Sequence, residues 1–144
     1  MRIKKTVTKL VTKYKTNCPY RIAEHKNIRV QKEPLGSVYG YFHTYRRVPM
    51  IHINSELDDS LQRFVCAHEL GHAVLHPRSN TPFLRANTMF SVERIEREAN
   101  EFAVELLMPD TVVREHESIY DAAASCGVPE KMAGLKRFEG FDEV

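Results

Sequence analysis

Three of the chain's seven histidines lie in the segment CAHELGHAVLH, which runs from Cys66 to His76. Two of them, His68 and His72, are four residues apart, and on a helix this spacing places them about 40° apart on one face. Two imidazole nitrogens so placed can bind one Zn²⁺ at about 2.0–2.1 Å. Glu69 points away from these ligands, but it can reach a water molecule beside the ion. The pattern predicts one zinc ion per chain, with Glu69 as the general base that accepts a proton from the attacking water.

A catalytic zinc needs a third protein ligand as well as an open position. His76 is not expected to provide it, because it lies two helical turns beyond His68, about 12 Å along the axis. We expect His76 at the end of the helix, with a hydrogen-bonding role. The other source is the segment SVERIEREANEFAVELLMP, whose apolar residues form a helical stripe. Glu96 and Glu98 flank that stripe on opposite sides, so periodicity alone does not choose between them.

The simplest alternative to a metal site is a helix that carries histidines on its surface. The motif, however, is embedded among apolar residues such as Phe64, Val65, Leu70 and Val74. Histidines in so apolar a helix need partners, because burying an unpaired polar group costs free energy. A glutamate at position 69 also favours catalysis over a structural zinc, which requires no general base.

The composition of the 144-residue chain excludes several classes of protein. Its hydrophobic content of 42% and net charge of +2 are typical of one soluble domain. The basic N-terminus lacks the apolar run of a secretory signal, and no segment approaches the roughly 20 apolar residues that span a bilayer. The three cysteines form no CxxC pair, which argues against disulfides and thiolate zinc sites. We expect a monomeric cytoplasmic protein without membrane attachment.

The elements that position these residues follow from apolar spacing and turn signals. Helical spacing predicts a lysine-rich amphipathic helix at the N-terminus and a short helix over PYRIAEHKN. Strands are predicted in IRVQKE, SVYGYFHTY and RVPMIHIN. The HELGH helix is expected to begin at Asp58 or Asp59 and to end before Pro77. A long helix capped by Ser91 should run to Met108, with further helical segments after it.

This order of elements predicts an α+β fold, with a small, mostly antiparallel sheet packed against helices. The HELGH motif adds the expectation of a zincin-like minimal metalloprotease domain. The predicted domain covers residues 1–144: a basic helix at 1–16, a catalytic core at about 19–110 and a helical segment at 110–144. Pro49 predicts that the strand Val48–Asn54 lies at a sheet edge, because proline cannot donate to a neighbouring strand. Such an edge can bind an extended peptide.

The segments HELGHAVLH and EREANEFAVELLMPD, taken together, resemble the ImmA/IrrE family of metallo-endopeptidases. The approach to the motif, VPMIHINSELDDSLQRFVCAHELGH, is also similar to that family, and the resemblance covers about residues 19–135. It implies zinc ligands at His68 and His72 and a general base at Glu69. It also implies that the third ligand is the glutamate that precedes Ala-Asn, which is Glu98.

The resemblance further implies a substrate. Short members of the family act on a helix-turn-helix repressor encoded by a phage, a mobile element or a stress locus, and its cleavage allows transcription. Selectivity for one repressor would need a second contact, for which the lysine-rich first helix and the stretch MAGLKRF are available. Direct binding to nucleic acid is not expected.

Two other functions remain open on the sequence alone. The basic N-terminal helix and AAASCGVPEKMAGLKRF, which loosely resembles a helix-turn-helix, would suit a non-catalytic regulator that binds DNA or protein. Another zinc hydrolase, such as an amidase, is the remaining possibility. Five strand residues could approach the zinc and stabilise the oxyanion, although ordinary strand surface is the simpler interpretation: Tyr39, Tyr41, His43, Tyr45 and His52.

Overall fold

The computed structural model describes residues 2–137, in which helices pack against a four-stranded sheet. In chain order the elements are α1 (Arg2–Tyr14), α2 (Pro19–His25), β1 (Arg29–Glu33), β2 (Val38–Tyr45), β3 (Val48–Asn54), α3 (Asp59–Leu75), β4 (Leu84–Arg85), α4 (Arg94–Leu107), α5 (Asp110–Val113), α6 (Ile119–Cys126) and a 3-10 helix (Glu130–Leu135). The predicted α+β class is confirmed. The predicted division into residues 1–16, 19–110 and 110–144 stays a prediction, and part of its last segment lies outside the described residues.

The sheet is mixed, so the prediction of a mostly antiparallel sheet was wrong. Its strand order is β1-β3-β2-β4, in which β3 pairs parallel to β1 and antiparallel to β2. The PLG turn therefore does not join β1 and β2 as a hairpin, since β3 lies between them. The side chain of Asn54, at the end of β3, holds this connection by donating to the carbonyl oxygens of Gly36 and Val38 at 2.9 and 3.0 Å.

The prediction that β3 is an edge strand was also wrong, because β3 has a neighbour on each side. The register with β1 begins at Met50, so Pro49 lies just outside the stretch paired with that strand. The missing N–H of the proline thus removes no hydrogen bond to β1. β2 and β3 are joined by a tight turn at Arg46 and Arg47, both of which have positive φ.

Helix α3 packs against the sheet on one side and against α4 on another. The contact with the sheet requires a glycine, and the contact with α4 leaves little room for a larger side chain. A Cβ atom at Gly40 of β2 would lie 2.6 Å from Cγ1 of Val65, and one at Gly71 of α3 would lie 3.1 Å from the Phe102 side chain of α4. The helix begins as predicted, with the Asp58 side chain accepting a hydrogen bond from the backbone N–H of Leu61 at 2.8 Å.

The remaining helices complete the core around α3 and α4. The first helix docks against the core through Ile3, Val7 and Leu10, which are buried, while Lys5 and Lys9 are exposed as its amphipathic pattern predicted. Helix α4 begins at Arg94 with Glu93 as its N-cap, so the prediction of a cap at Ser91 was wrong. No helix in the described part of the chain has the length and apolar character needed to cross a membrane.

Candidate metal centre

Helix α3 places His68, Glu69 and His72 in the interior, where none of the three has any exposed surface. The two histidines lie on one face of the helix, as their spacing predicted, and their rings meet edge to face with centroids 4.8 Å apart. Such complete burial excludes the alternative in which these histidines decorate a helix surface. Three polar side chains at 0% exposure need partners from a neighbouring element.

The neighbouring element is α4, which supplies Glu96. Its Oε1 atom lies 3.0 Å from Nε2 of His68 and 3.2 Å from Nε2 of His72. One potential ligand atom from each of the three residues lies within 4.8 Å of the others. Across residues 2–137, this is the one group of three or more His, Cys, Asp or Glu side chains that converges closely enough to hold a metal ion.

Glu98, the third ligand that the family resemblance implied, does not join the two histidines. Its Oε1 lies 2.8 Å from Nε2 of His76, and its Oε2 lies 3.2 Å from the guanidinium of Arg2. Residues two apart on a helix point in nearly opposite directions, so only one of the two glutamates can reach both His68 and His72. Glu96 takes that position, and the sequence-based choice is corrected accordingly.

The two buried carboxylates differ in charge state. Burial by itself would raise the pKa of Glu96, but hydrogen bonds with His68 and His72 hold that pKa down at about 2. Burial raises the pKa of Glu69 to about 7, while His68 opposes the rise and the charge of Glu96 adds to it. Glu96 is therefore anionic at neutral pH, as a metal ligand must be, whereas Glu69 lies near the midpoint of its titration.

The far side of each histidine is also held by a side chain. Nδ1 of His68 donates to Oδ1 of Asn100 at 2.7 Å, and Nδ2 of Asn100 donates to the carbonyl oxygen of Met89 at 2.7 Å. Nδ1 of His72 lies 3.1 Å from Nδ1 of His76. A hydrogen on Nδ1 leaves Nε2 as a lone-pair donor, which is how metal-binding histidines are usually oriented. His76 has the hydrogen-bonding role at the helix end that the sequence predicted.

The donor set and the orphaned atoms fit a metal ion. Two imidazoles and one carboxylate form a known catalytic zinc site. Both carboxylate oxygens of Glu69 and Oε2 of Glu96 are buried without a hydrogen-bond partner in the described structure. Unpartnered buried carboxylate oxygens are costly, so polar groups at this site are expected to be satisfied by an ion and water.

The sequence reasoning missed Asn100, although a signal was present. Asn100 follows Glu96 by four residues, so both lie on the same face of α4 and reach the same histidine. The strand residues Tyr41, His43 and His52 lie on the sheet face opposite α3, because Phe42 and Ile51, which alternate with them, point into the core. The strand-surface interpretation of these residues stays a prediction.

The sequence of the chain is similar to that of a known protein family. The sequence pattern of the IrrE N-terminal-like domain, peptidase family M78, matches residues 23–136. The chain is 47% identical over 139 residues to "Uncharacterized immunity region protein 2" of Bacillus phage phi105, a match covering 93% of this chain and 88% of that protein. It is 34% identical over 115 residues to Metallopeptidase ImmA of Bacillus subtilis (strain 168), covering 78% and 67% respectively. With its HELGH helix and second glutamate-bearing helix in place, the chain belongs to the ImmA/IrrE family of metallopeptidases.

Proposed function

We propose that this protein is a zinc-dependent endopeptidase that cleaves a helix-turn-helix repressor. The observation that carries the proposal is the convergence of His68, His72 and Glu96 beside a fully buried Glu69 whose oxygens have no hydrogen-bond partner in the described structure. A structural zinc has no use for such a carboxylate, whereas hydrolysis requires a base at this position. The ligand set assigned here is His68, His72 and Glu96, for one zinc ion per chain.

The side chains divide the chemistry between them. His68, His72 and Glu96 would hold the ion, which when bound polarises a peptide carbonyl and activates water. Glu69 accepts a proton from the attacking water and delivers it to the departing amine. Burial of Glu69 keeps competing water away from the carboxylate and strengthens its electrostatic interactions.

The open edge of β2 is the proposed binding site for the substrate chain. β4 pairs with β2 only at Val38 and Gly40, so the stretch Tyr41–Tyr45 has β3 on one side and no strand on the other in the described structure. A cavity of about 560 Å³ lies along this edge, lined by residues 41–44, by residues 77–81 and by Phe83. An extended peptide can add to such an edge through main-chain hydrogen bonds. β2 thus takes the role that the sequence had suggested for β3.

The lining segment begins directly after His76, at the end of the helix that carries the proposed ligands. A peptide bound along β2 would therefore lie beside the C-terminal end of α3. Main-chain pairing gives little sequence selectivity, so recognition of one repressor needs a second surface. The exposed lysines of α1, which include Lys5, Lys9 and Lys13, could supply it for an acidic partner.

A repressor substrate fits the genetic setting of the relatives. One relative is named as an immunity region protein of a Bacillus phage, and another is named as a metallopeptidase of Bacillus subtilis. We infer a role in which cleavage relieves repression of phage or mobile-element genes. A repressor acts on DNA in the bacterial cytoplasm, which places the proposed protease there.

The direct test is incubation of the zinc-loaded protein with the repressor encoded beside its gene. We expect a discrete cut, which mass spectrometry of the fragments would locate.

Glu69→Gln should retain the metal and the fold but lower the cleavage rate by about 10²–10⁴-fold, because glutamine is nearly isosteric but cannot accept the proton. Circular dichroism and zinc analysis serve as controls. Cleavage by the variant at the wild-type rate would contradict the proposed base, and a repressor that is bound but left intact would favour the non-catalytic regulator.

A further inference from the structure

A line of hydrogen-bonding groups leads from the proposed ligand His72 to the protein surface. Nδ1 of His72 lies 3.1 Å from Nδ1 of His76, and Nε2 of His76 lies 2.8 Å from Oε1 of Glu98. Oε2 of Glu98 accepts from Arg2 at 3.2 Å and from Arg94 at 3.4 Å. His72 is fully buried and His76 is 8% exposed, so the inner part of this line is shielded from water.

The hydrogen atoms along this line can point in only one direction. A histidine that binds a metal through Nε2 carries its hydrogen on Nδ1, so His72 donates to Nδ1 of His76. Nδ1 of His76 must then be an acceptor, and its hydrogen lies on Nε2, where the Glu98 carboxylate accepts it. The carboxylate of Glu98 also accepts hydrogen bonds from Arg2 and Arg94, which makes it the acceptor at the end of this line.

We propose that His76 and Glu98 are positioning residues, which fix His72 in the tautomer and orientation that present Nε2 to the metal. The inference rests on the proposed metal site and extends it. Asn100 does the same for His68 through one amide oxygen. His72 is held instead by an imidazole, which is in turn oriented by the carboxylate that the sequence had offered as a ligand.

A purely structural role for His76 makes a different prediction. His76 is the C-cap of α3, and its backbone N–H donates to the carbonyl oxygen of His72 at 2.8 Å. Any side chain other than proline preserves this backbone bond. Replacing the side chain therefore separates the proposed positioning of His72 from the capping of the helix.

The experiment measures zinc affinity by competition with a chromophoric chelator, using the full chain. His76→Leu should weaken zinc binding by about 10–100-fold, the usual loss when a residue that orients a ligand is removed. His76→Asn should retain most of the affinity, because Oδ1 of asparagine can take the place of Nδ1 and accept from His72, as Asn100 does for His68. His116→Leu is the matched control, since Nδ1 of His116 faces the backbone oxygen of Val112 instead.

Replacing Glu98 provides a second, independent test of the positioning role. Glu98→Gln should weaken zinc binding in the wild-type background but have little further effect in His76→Asn, because asparagine passes no hydrogen bond on to position 98. The visible spectrum of the Co²⁺-loaded protein should change in His76→Leu and resemble the wild type in His76→Asn. A purely structural role would not produce this pattern.

The failures of the two proposals are distinguishable. Wild-type affinity and an unchanged Co²⁺ spectrum in His76→Leu would overturn the positioning role alone. Equal losses in the Leu and Asn variants, with unfolding midpoints that fall equally, would also overturn it in favour of packing. A wild-type chain that binds no zinc would overturn the proposed function, and this inference with it.

Discussion

Two of the neighbouring histidine pairs in the described structure differ in what lies between their rings: His68 and His72 share a carboxylate, whereas His43 and His52 do not. In α3, Nε2 of His68 and Nε2 of His72 both face Oε1 of Glu96. On the outer face of the sheet, Nε2 of His43 lies 2.9 Å from Nε2 of His52. The acidic neighbour of that second pair, Glu33, lies 3.4 Å from Nδ1 of His52, behind the ring rather than between the two rings.

The difference shows that proximity of two imidazoles does not by itself make a metal centre. The sheet pair satisfies itself, since one ring nitrogen donates to the other, and the ring of Tyr41 stacks on His52 at 4.4 Å. The helix pair cannot do so, because both Nε2 atoms point at a carboxylate contributed by a second helix. Burial adds to the contrast: His68 and His72 are fully buried, whereas His43 is exposed.

The largest expected effect comes from removing the carboxylate that the sheet pair lacks. Glu96→Gln should lower zinc affinity by more than the roughly 100-fold upper range for an orienting residue, because it removes a charged ligand. The His43→Ala/His52→Ala double variant should still bind about one zinc per chain, as the wild type does. Elemental analysis after gel filtration would measure both. A greater loss of zinc affinity in Glu98→Gln than in Glu96→Gln would show that Glu98, which the family resemblance implied, is the third ligand.

A smaller loss is expected when the orienting residue behind His68 is removed. Asn100→Leu should weaken zinc binding by about 10–100-fold, because it leaves Nδ1 of His68 without an acceptor. It also leaves the buried carbonyl of Met89 without a donor, at a cost of about 1–3 kcal/mol in the free energy of unfolding. Asn100→Asp keeps an acceptor for His68 and is the matched control in chelator competition and thermal unfolding.

Replacing Glu33, the carboxylate that lies beside Nδ1 of His52, should not change zinc binding. Glu33→Gln alters the group behind His52 just as the Asn100 variants alter the group behind His68, yet its zinc content and affinity should equal those of the wild type. A measurable loss of zinc in Glu33→Gln would indicate that the sheet pair takes part in metal binding, and the contrast between the two pairs would fail.

The part of the site within one helix could be predicted from the sequence, and the part between two helices could not. The four-residue spacing of His68 and His72 fixes their relation wherever the helix lies. The choice between Glu96 and Glu98 depends on how α4 is rotated against α3, which packing decides. Ala99 and Ala103, three and seven residues after Glu96, are fully buried, but the stripe they belong to borders both glutamates.

The strands show the same limit. The positions of β1, β2 and β3 were predicted to within a residue or two, because alternation and turn residues are local signals, but the two-residue strand β4 was not predicted. The order of the strands was not predicted either, because Pro49 suggested an edge while the pairing with β1 begins only at Met50. The two-residue turn was also hidden, since Arg46 and Arg47 occupy positive-φ positions that usually hold asparagine or glycine.

The smallest expected effect concerns the dependence of stability on pH. Burial, and then the neighbouring His52, lower the pKa of His43. The folded protein therefore binds fewer protons at position 43 than the unfolded chain, whose histidine titrates near 6.5. The stability due to this neutral ring is complete above about pH 6.5 and is lost as the pH falls through that value toward the lower pKa of the folded state.

His43→Gln should remove that loss, so its free energy of unfolding should fall less between pH 7 and pH 5 than that of the wild type, as measured by urea denaturation. The exposure of His43 keeps the difference small, and His116→Gln provides the control for deleting a histidine elsewhere. An equal fall in His43→Gln and the wild type would show that the sheet pair does not favour the neutral ring.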